Sequence, residues 1–187
     1  MSTLTSLPNL LTLLRIVLIP IFIGIFYLPF DWAHGAAAVI FALASFTDWL
    51  DGYFARRLKQ MSLFGAFLDP VADKLLVATS LLLLVGAKDL DYITLPAIVI
   101  VGREIVISAL REWMAEVGSR ASITVSYIGK VKTTVQMSAL VLLLAFYPAT
   151  SYWGVLGFIL LYVAAILTIW SMVIYITIAW PQLTKKH

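Results

Sequence analysis

The chain contains no cysteine and very little charge. The absence of cysteine excludes disulfide bonds, thiol nucleophiles and thiolate metal ligands. Charged residues make up 12% of the 187 residues and hydrophobic residues 62%, with a mean hydropathy of +1.00. Soluble domains contain about 25% charged residues. The composition therefore predicts an integral membrane protein.

Six apolar segments follow one another along the chain. The length of each is close to the about 20 residues that a helix needs to cross a hydrocarbon core. They cover residues 7–29, 33–55, 67–87, 92–113, 131–148 and 152–180. The first segment lacks a small-residue cleavage site, so we expect a retained helix and not a signal peptide. No linker or internal repeat divides the chain. We expect one all-α membrane domain over residues 1–187, with six transmembrane helices.

Lysine and arginine residues concentrate on one side of this predicted bundle. The connections on the other side lie near residues 28–33, 87–91 and 147–153. Lys88 is the one lysine or arginine residue in them. By the positive-inside rule, both termini and the basic side face the cytoplasm. The net charge of +3 then lies where anionic head groups and phosphorylated substrates are met. We expect a lipid bilayer as surroundings and no nucleic-acid partner.

Four of the ten acidic residues fall on the same side, within a short stretch: Asp48, Asp51, Asp69 and Asp73. Carboxylates near a bilayer are energetically costly and usually functional. Spacings of three and four residues put each pair on one face of a helix. Four converging carboxylates repel one another unless cations lie between them, and hard oxygen donors suit Mg²⁺ or Mn²⁺. The pattern predicts a divalent-metal site.

Asp69 also has a simpler interpretation. Asp69 followed by Pro70 is typical of a helix start, because the acid caps free N–H groups and proline suits the first helical position. We therefore expect a turn from Met61 to Gly65 and a third helix beginning near Asp69. Taken alone, the cap and the metal ligand are equally good interpretations. Asp73, one turn later, and the two aspartates on the preceding helix favour the metal.

Small residues and one arginine separate the aspartates. Gly52 and Ala55 leave room beside the carboxylates for a base or a ribose, or for close helix packing, and these two uses are compatible. Arg56 follows Asp48 by about two turns. It is placed to balance phosphate charge, although an interfacial arginine extending towards water is the simpler interpretation without the aspartates.

The complete pattern, D-x2-D-G-x2-A-R-x8-G-x3-D-x3-D from Asp48 to Asp73, resembles the signature of the CDP-alcohol phosphotransferase family at every fixed position. Residues 8–15, 103–104, 108–113 and 129–133, with Gln136, are similar to bacterial members whose acceptor is sn-glycerol 3-phosphate. The resemblance covers nearly the whole chain. It implies the fold of that family, a location in the bacterial inner membrane with a cytoplasmic active site, and a homodimer.

The resemblance also implies a reaction in which an alcohol displaces CMP from CDP-diacylglycerol. The four aspartates would hold two Mg²⁺ or Mn²⁺ ions, and Asp73 would also act as the general base. Because a metal-bound carboxylate is a weak base, the metal must also acidify the alcohol. The implied contacts to CDP-diacylglycerol are Thr12, Gly52, Ala55, Arg56 and Gly65.

The acceptor is expected to bring its own phosphate. The candidates for binding it are Arg103, Arg111, Arg120, Lys130 and Lys132. An ordinary basic rim is an equally good interpretation of Arg111, Arg120 and Lys130. Arg103 lies well inside the fourth segment and needs a buried carboxylate or a substrate phosphate; Glu104, adjacent in sequence, is expected to point elsewhere. The same chemistry with inositol phosphate or serine stays open.

Other interpretations fit less well. A cation transporter predicts acids spread through the membrane depth and broken helices, whereas these acids cluster at one end. A scaffold has no need of four close carboxylates. We expect His34 in an outer connection, away from the acids. Gly154 and Gly157 are expected to mark close helix packing, with a dimer seam as one use of it.

Overall fold

The computed structural model describes residues 7–58, 63–87, 90–116 and 127–183. These residues form six long helices and no strand, which confirms the all-α class. A short 3-10 helix, Asp91–Ile93, precedes the fourth of them. The six are α1 (Leu7–Phe26), α2 (Ala33–Leu58), α3 (Leu63–Gly86), α4 (Thr94–Glu116), α5 (Tyr127–Ala145) and α6 (Tyr152–Leu183).

Two stretches of the described chain are long and apolar enough to cross a membrane by length and composition. They are Asn9–Phe26 in α1 and Tyr152–Trp180 in α6, with mean hydropathies of 2.3 and 2.4. In α2 the apolar stretch is shorter, Ala33–Thr47. Helices α2 to α5 contain the charged residues of the candidate site, and these lower their hydropathy.

The helices pack as a ring in the order α1, α2, α5, α6, α4 and α3, and α3 also contacts α2 and α5. One half of the bundle has an apolar core, in which Phe22 packs on Phe41 with ring centroids 6.2 Å apart. Leu84 of α3 and Leu143 of α5 belong to this core and are fully buried. The other half buries polar side chains. The two halves therefore have different roles, and only the second is suited to chemistry.

Helix α3 begins at Leu63, so the prediction that Asp69 caps this helix was wrong. Gly65, Asp69 and Pro70 all lie inside α3. The residues between Leu63 and Leu68 are mostly apolar and extend the helical pattern upstream. Proline removes one backbone hydrogen bond and disfavours a helix interior, yet the helix continues through it. Asp69 is therefore in the second turn, where its carboxylate is available to other groups.

Gly154 and Gly157 lie where α6 meets the end of α5 and the turn after it. A Cβ atom at Gly154 would be 2.4 Å from Ala149 Cα, and one at Gly157 would be 3.0 Å from Leu143 Cγ. The prediction of close helix packing is confirmed. Both glycines are buried against their own chain, and the use of this packing in a dimer seam stays a prediction.

We predict that Gly154→Ala lowers stability by about 1–3 kcal/mol, because the added methyl group overpacks the contact with the Ala149 backbone. Thermal unfolding in detergent, followed by circular dichroism, measures the effect. The matched control is Gly24→Ala in α1, where nothing lies within 4 Å of the added atom. Equal unfolding midpoints for the two variants would contradict the packing at Gly154.

Candidate active site

Buried polar side chains mark one end of the helix ring. This end contains the first halves of α1, α3 and α5 and the last halves of α2, α4 and α6. Its described polar residues that are nearly or fully buried are Asn9, Thr12, Arg15, Lys132, Gln136, Thr168 and Ser171. His34 lies at the opposite end, where its ring centroid is 5.0 Å from that of Phe26 and 4.5 Å from that of Tyr147. This agrees with its expected position away from the acids.

The four aspartates lie on two consecutive helices that meet at the polar end. Asp48 and Asp51 belong to the last part of α2, and Asp69 and Asp73 to the first part of α3. Asp69 and Asp73 are half-buried, and their spacing puts them on one face of α3. Helix α1 supports this face, since Thr12 Oγ1 donates a hydrogen bond to Asp69 Oδ1. Thr12, predicted as a nucleotide contact, thus lies beside a predicted metal ligand.

The donor set fits divalent metal ions in its chemistry. Carboxylate oxygens are ligands that Mg²⁺ and Mn²⁺ prefer, and a hydrogen bond from a second residue commonly orients a ligating carboxylate. Thr12 supplies such a bond to Asp69. The side chains of Asp48, Asp51, Ala55 and Arg56 lie outside the described part of the structure, although their positions in α2 are described. The described side chains alone form no group of three ligands.

Glu104 and Arg103 of α4 together join three helices at this end. Its Oε1 atom lies 2.7 Å from Lys132 Nζ of α5 and 3.2 Å from Arg103 Nη1. Arg103 Nη2 donates to Ser171 Oγ of α6 at 3.2 Å, and its guanidinium lies 5.6 Å from the ring centroid of Tyr175. We call Arg103, Glu104, Lys132 and Ser171 the Glu104 cluster. A buried charge needs such a partner because its desolvation is costly.

The prediction that Glu104 points away from Arg103 was wrong. The directions of adjacent Cβ atoms diverge by about 100° on a helix, but both side chains are long and their charged ends converge. The attraction between opposite charges in a partly desolvated position favours this convergence. Arg103 does have a carboxylate partner, as its position in the helix required, although Glu104 is only partly buried.

The Glu104 cluster extends towards the aspartates. Lys132 interacts electrostatically with Asp73, and Glu104 with Arg111. Arg111 lies two turns after Glu104 on the same face of α4, but it is exposed. The structure thus brings Arg103 and Lys132 together at Glu104, at the same end of the bundle as the predicted general base. Lys130 is exposed and lies on another face of α5, and Arg120 lies outside the described residues.

Sequence reasoning missed three residues of the site. Glu104 is an acidic residue within an apolar segment, and such residues commonly mark functional positions, so a signal was present. Ser171 and Tyr175 in α6 gave no signal. Their contacts with Arg103 join residues far apart in the chain, and no local pattern in the sequence encodes them.

Comparison with known proteins identifies the family. The model of the CDP-alcohol phosphatidyltransferase family matches residues 5–170. The chain belongs to this family, which confirms the resemblance drawn from the aspartate motif. Membership in a transferase family favours the enzyme interpretation over the transporter.

The chain is also similar to curated proteins over nearly its full length. It is 56% identical to the CDP-diacylglycerol–glycerol-3-phosphate 3-phosphatidyltransferase of Pseudomonas fluorescens, over 95% of this chain and 92% of that protein. It is 54% identical to the protein of that name from Yersinia enterocolitica, over 96% of this chain and 98% of that one. It is 53% identical to the protein of that name from Salmonella paratyphi A, over 93% of this chain and 94% of that one.

Proposed function

We propose that the protein transfers the phosphatidyl group of CDP-diacylglycerol to sn-glycerol 3-phosphate, giving phosphatidylglycerophosphate and CMP. The relatives carry the name of this reaction and match the chain over nearly its whole length. The observation that carries the proposal is the position of Lys132, which is bound to Glu104 and interacts with the charge of Asp73. A cation suited to an acceptor phosphate thus lies at the same end of the bundle as a carboxylate suited to an acceptor hydroxyl.

Asp48, Asp51, Asp69 and Asp73 are the residues that would hold two Mg²⁺ or Mn²⁺ ions. When bound, such ions neutralise the diphosphate of the donor and stabilise the leaving phosphate of CMP. The chain orients this site through Thr12, whose hydroxyl holds the carboxylate of Asp69. Asp73 takes the proton of the attacking primary hydroxyl. The proposed contacts to CDP-diacylglycerol are those implied by the motif: Thr12, Gly52, Ala55, Arg56 and Gly65.

The proposed setting is the bacterial inner membrane, with six spans and the polar end facing the cytoplasm. Apolar side chains on the outer surface support it: Val39, Leu82, Ile98 and Ile166 are each more than half exposed. Exposed apolar area on this scale marks contact with lipid or another protein. The basic residues at the polar end suit the cytoplasmic face. A homodimer is expected from the family resemblance.

The acceptor phosphate is assigned to Arg103 and Lys132, with Arg111 at the rim. We predict that Lys132→Met and Arg103→Lys each raise the KM for glycerol 3-phosphate by about tenfold or more, at ~1.4 kcal/mol per decade. Lysine fails at Arg103 because it lacks the planar fork that binds two oxygens at once. The KM for CDP-diacylglycerol should change little. Steady-state kinetics of CMP release in each substrate measure both values.

Lys130→Met is the matched control, because Lys130 is exposed on another face of the same helix. It should leave both KM values unchanged. Loss of CDP-diacylglycerol binding in the Lys132 and Arg103 variants, with an unchanged acceptor KM, would show that the pocket is misassigned.

The proposed function is tested by offering single acceptors to the purified protein with CDP-diacylglycerol and Mg²⁺. Glycerol 3-phosphate, inositol phosphate and serine are compared by the rate at which CMP is released. We expect release with glycerol 3-phosphate only. Faster release with inositol phosphate or serine would assign the chain to another branch of the family.

A further inference from the structure

Three buried polar atoms at or beside the Glu104 cluster have no hydrogen-bond partner among the residues that the structure describes. They are Arg103 Nε, Ser108 Oγ and Gln136 Oε1. Leaving such a group unpaired costs about 1–3 kcal/mol, and native proteins contain few of them. Arg103 Nε belongs to the cluster and Gln136 follows Lys132 by one turn, so the cluster and its inner side point to a polar ligand.

Helix geometry places Ser108 and Gln136 on opposite sides of the contact between Glu104 and Lys132, because α4 runs towards the polar end and α5 runs away from it. Ser108 follows Glu104 by one turn on α4, and Gln136 follows Lys132 by one turn on α5. Residues four apart share a helix face, and Lys132 of this α5 face contacts Glu104 at 2.7 Å. Gln136 is 3% exposed. It lies about 6 Å further along α5 than Lys132, away from the polar end of the bundle. A ligand atom that reaches Gln136 is therefore shielded from water.

The three atoms differ in the hydrogen-bond partners that suit them. Arg103 Nε only donates, and the Ser108 hydroxyl is able to donate, so both suit phosphate oxygens, as does the ammonium group of Lys132. Gln136 Oε1 only accepts and cannot bond to an oxygen of a phosphate dianion. Its partner must be a donor such as an alcohol. With the amide turned over, its NH₂ group bonds the oxygen of a hydroxyl or of a phosphate, so an alcohol hydroxyl is a partner that suits either orientation.

A ligand that carries a phosphate, and a hydroxyl in addition to the one that reacts at Asp73, satisfies these groups together. Glycerol 3-phosphate has this composition: a phosphate, a primary hydroxyl that attacks, and a secondary hydroxyl at C2. With the phosphate at Lys132 and Arg103 and the primary hydroxyl at Asp73, the C2 hydroxyl is the group left to meet Gln136.

We propose that Gln136 is a specificity-determining residue that forms a hydrogen bond with the C2 hydroxyl of the acceptor. This assignment rests on the proposed function, because it takes glycerol 3-phosphate as the substrate. A site built to bond a substrate hydroxyl discriminates strongly against the analogue that lacks it, since the buried protein group is then left unpaired. Gln136 would thus select acceptors with a hydroxyl next to the reacting carbon.

The test compares glycerol 3-phosphate with 3-hydroxypropyl phosphate, which differs only in lacking the C2 hydroxyl. The wild-type protein should prefer glycerol 3-phosphate by at least about tenfold in kcat/KM. In Gln136→Met, which keeps the length of the side chain, the preference should fall to below about threefold. The KM for CDP-diacylglycerol should stay unchanged. Ser80→Ala is the control, because Ser80 is buried and bonds only to the Leu76 carbonyl of its own helix, at 2.7 Å.

The outcomes separate this assignment from the proposed function. If the wild-type protein releases no CMP with glycerol 3-phosphate, the proposed function is wrong and the assignment of Gln136 is wrong with it. If the wild-type protein uses glycerol 3-phosphate but has nearly equal kcat/KM values for the two acceptors, only the assignment of Gln136 is wrong. This conclusion holds whether or not the variant folds. If Gln136→Met lowers kcat/KM by the same factor for both acceptors, the residue has a structural role, such as holding a buried water. That result would also overturn the assignment.

Discussion

Asp69→Asn and Asp48→Asn should each reduce the release of CMP from CDP-diacylglycerol by about three orders of magnitude or more, roughly 4 kcal/mol of barrier. Each change removes a negative charge and an anionic ligand while keeping the shape of the side chain. Neutralisation of the diphosphate by bound metal is the largest contribution that the proposed chemistry requires. The measurement is CMP release at saturating glycerol 3-phosphate and Mg²⁺.

A second readout separates metal binding from activity. Titration of each purified variant with Mn²⁺ alone, followed by electron paramagnetic resonance, should show weaker binding than in the wild type. Asp31→Asn is the matched control, because Asp31 is exposed in the turn after α1, at the other end of the bundle. It should retain full activity and metal binding. Substantial activity in Asp69→Asn or Asp48→Asn with Mg²⁺ present would rule out the assignment of two metal ions to the aspartates.

Asp73→Asn should lose turnover while it still binds CDP-diacylglycerol in the presence of metal. The proposed role of Asp73 is to accept the proton of the attacking hydroxyl, and an amide cannot do so. Equilibrium binding of CDP-diacylglycerol and single-turnover release of CMP distinguish the two steps. Turnover retained within about tenfold, roughly 1.4 kcal/mol of barrier, would show that the proton leaves by another route.

The apolar pattern predicted the helices well because each hydrophobic run is long and is interrupted by a clear break. The start of α3 was placed too late, because the dipeptide Asp69–Pro70 is typical of a helix start. In the folded chain the apolar residues from Leu63 onwards outweigh that signal. One proline is thus a weaker determinant of the helix start than the apolar residues that precede it.

The candidate site was predictable where it depends on spacing. The aspartates and the helices that carry them follow directly from the motif. The distinction between Lys132 and Lys130 was also present in the pattern, because Lys132, Gln136, Leu140 and Leu143 have the spacing of one helix face and are all buried. Lys130 lies outside that stripe.

Contacts between distant helices were not predictable in this way. The contact of Glu104 with Lys132 depends on how α4 and α5 pack, and the contact of Arg103 with Ser171 on how α4 and α6 pack. Long charged side chains have many rotamers, and tertiary packing selects among them. The sequence therefore predicted that Arg103 has a partner, but it did not identify that partner.

The most direct test of the proposed function is a competition between acceptors. The purified protein, reconstituted in vesicles with CDP-diacylglycerol and Mg²⁺, is given glycerol 3-phosphate, inositol phosphate and serine at equal concentrations, and the lipid products are identified by mass spectrometry. We predict phosphatidylglycerophosphate as the single new lipid, formed in equal amount with CMP and absent when a chelator removes the metal. Phosphatidylserine or phosphatidylinositol phosphate as the main product would contradict the proposed function.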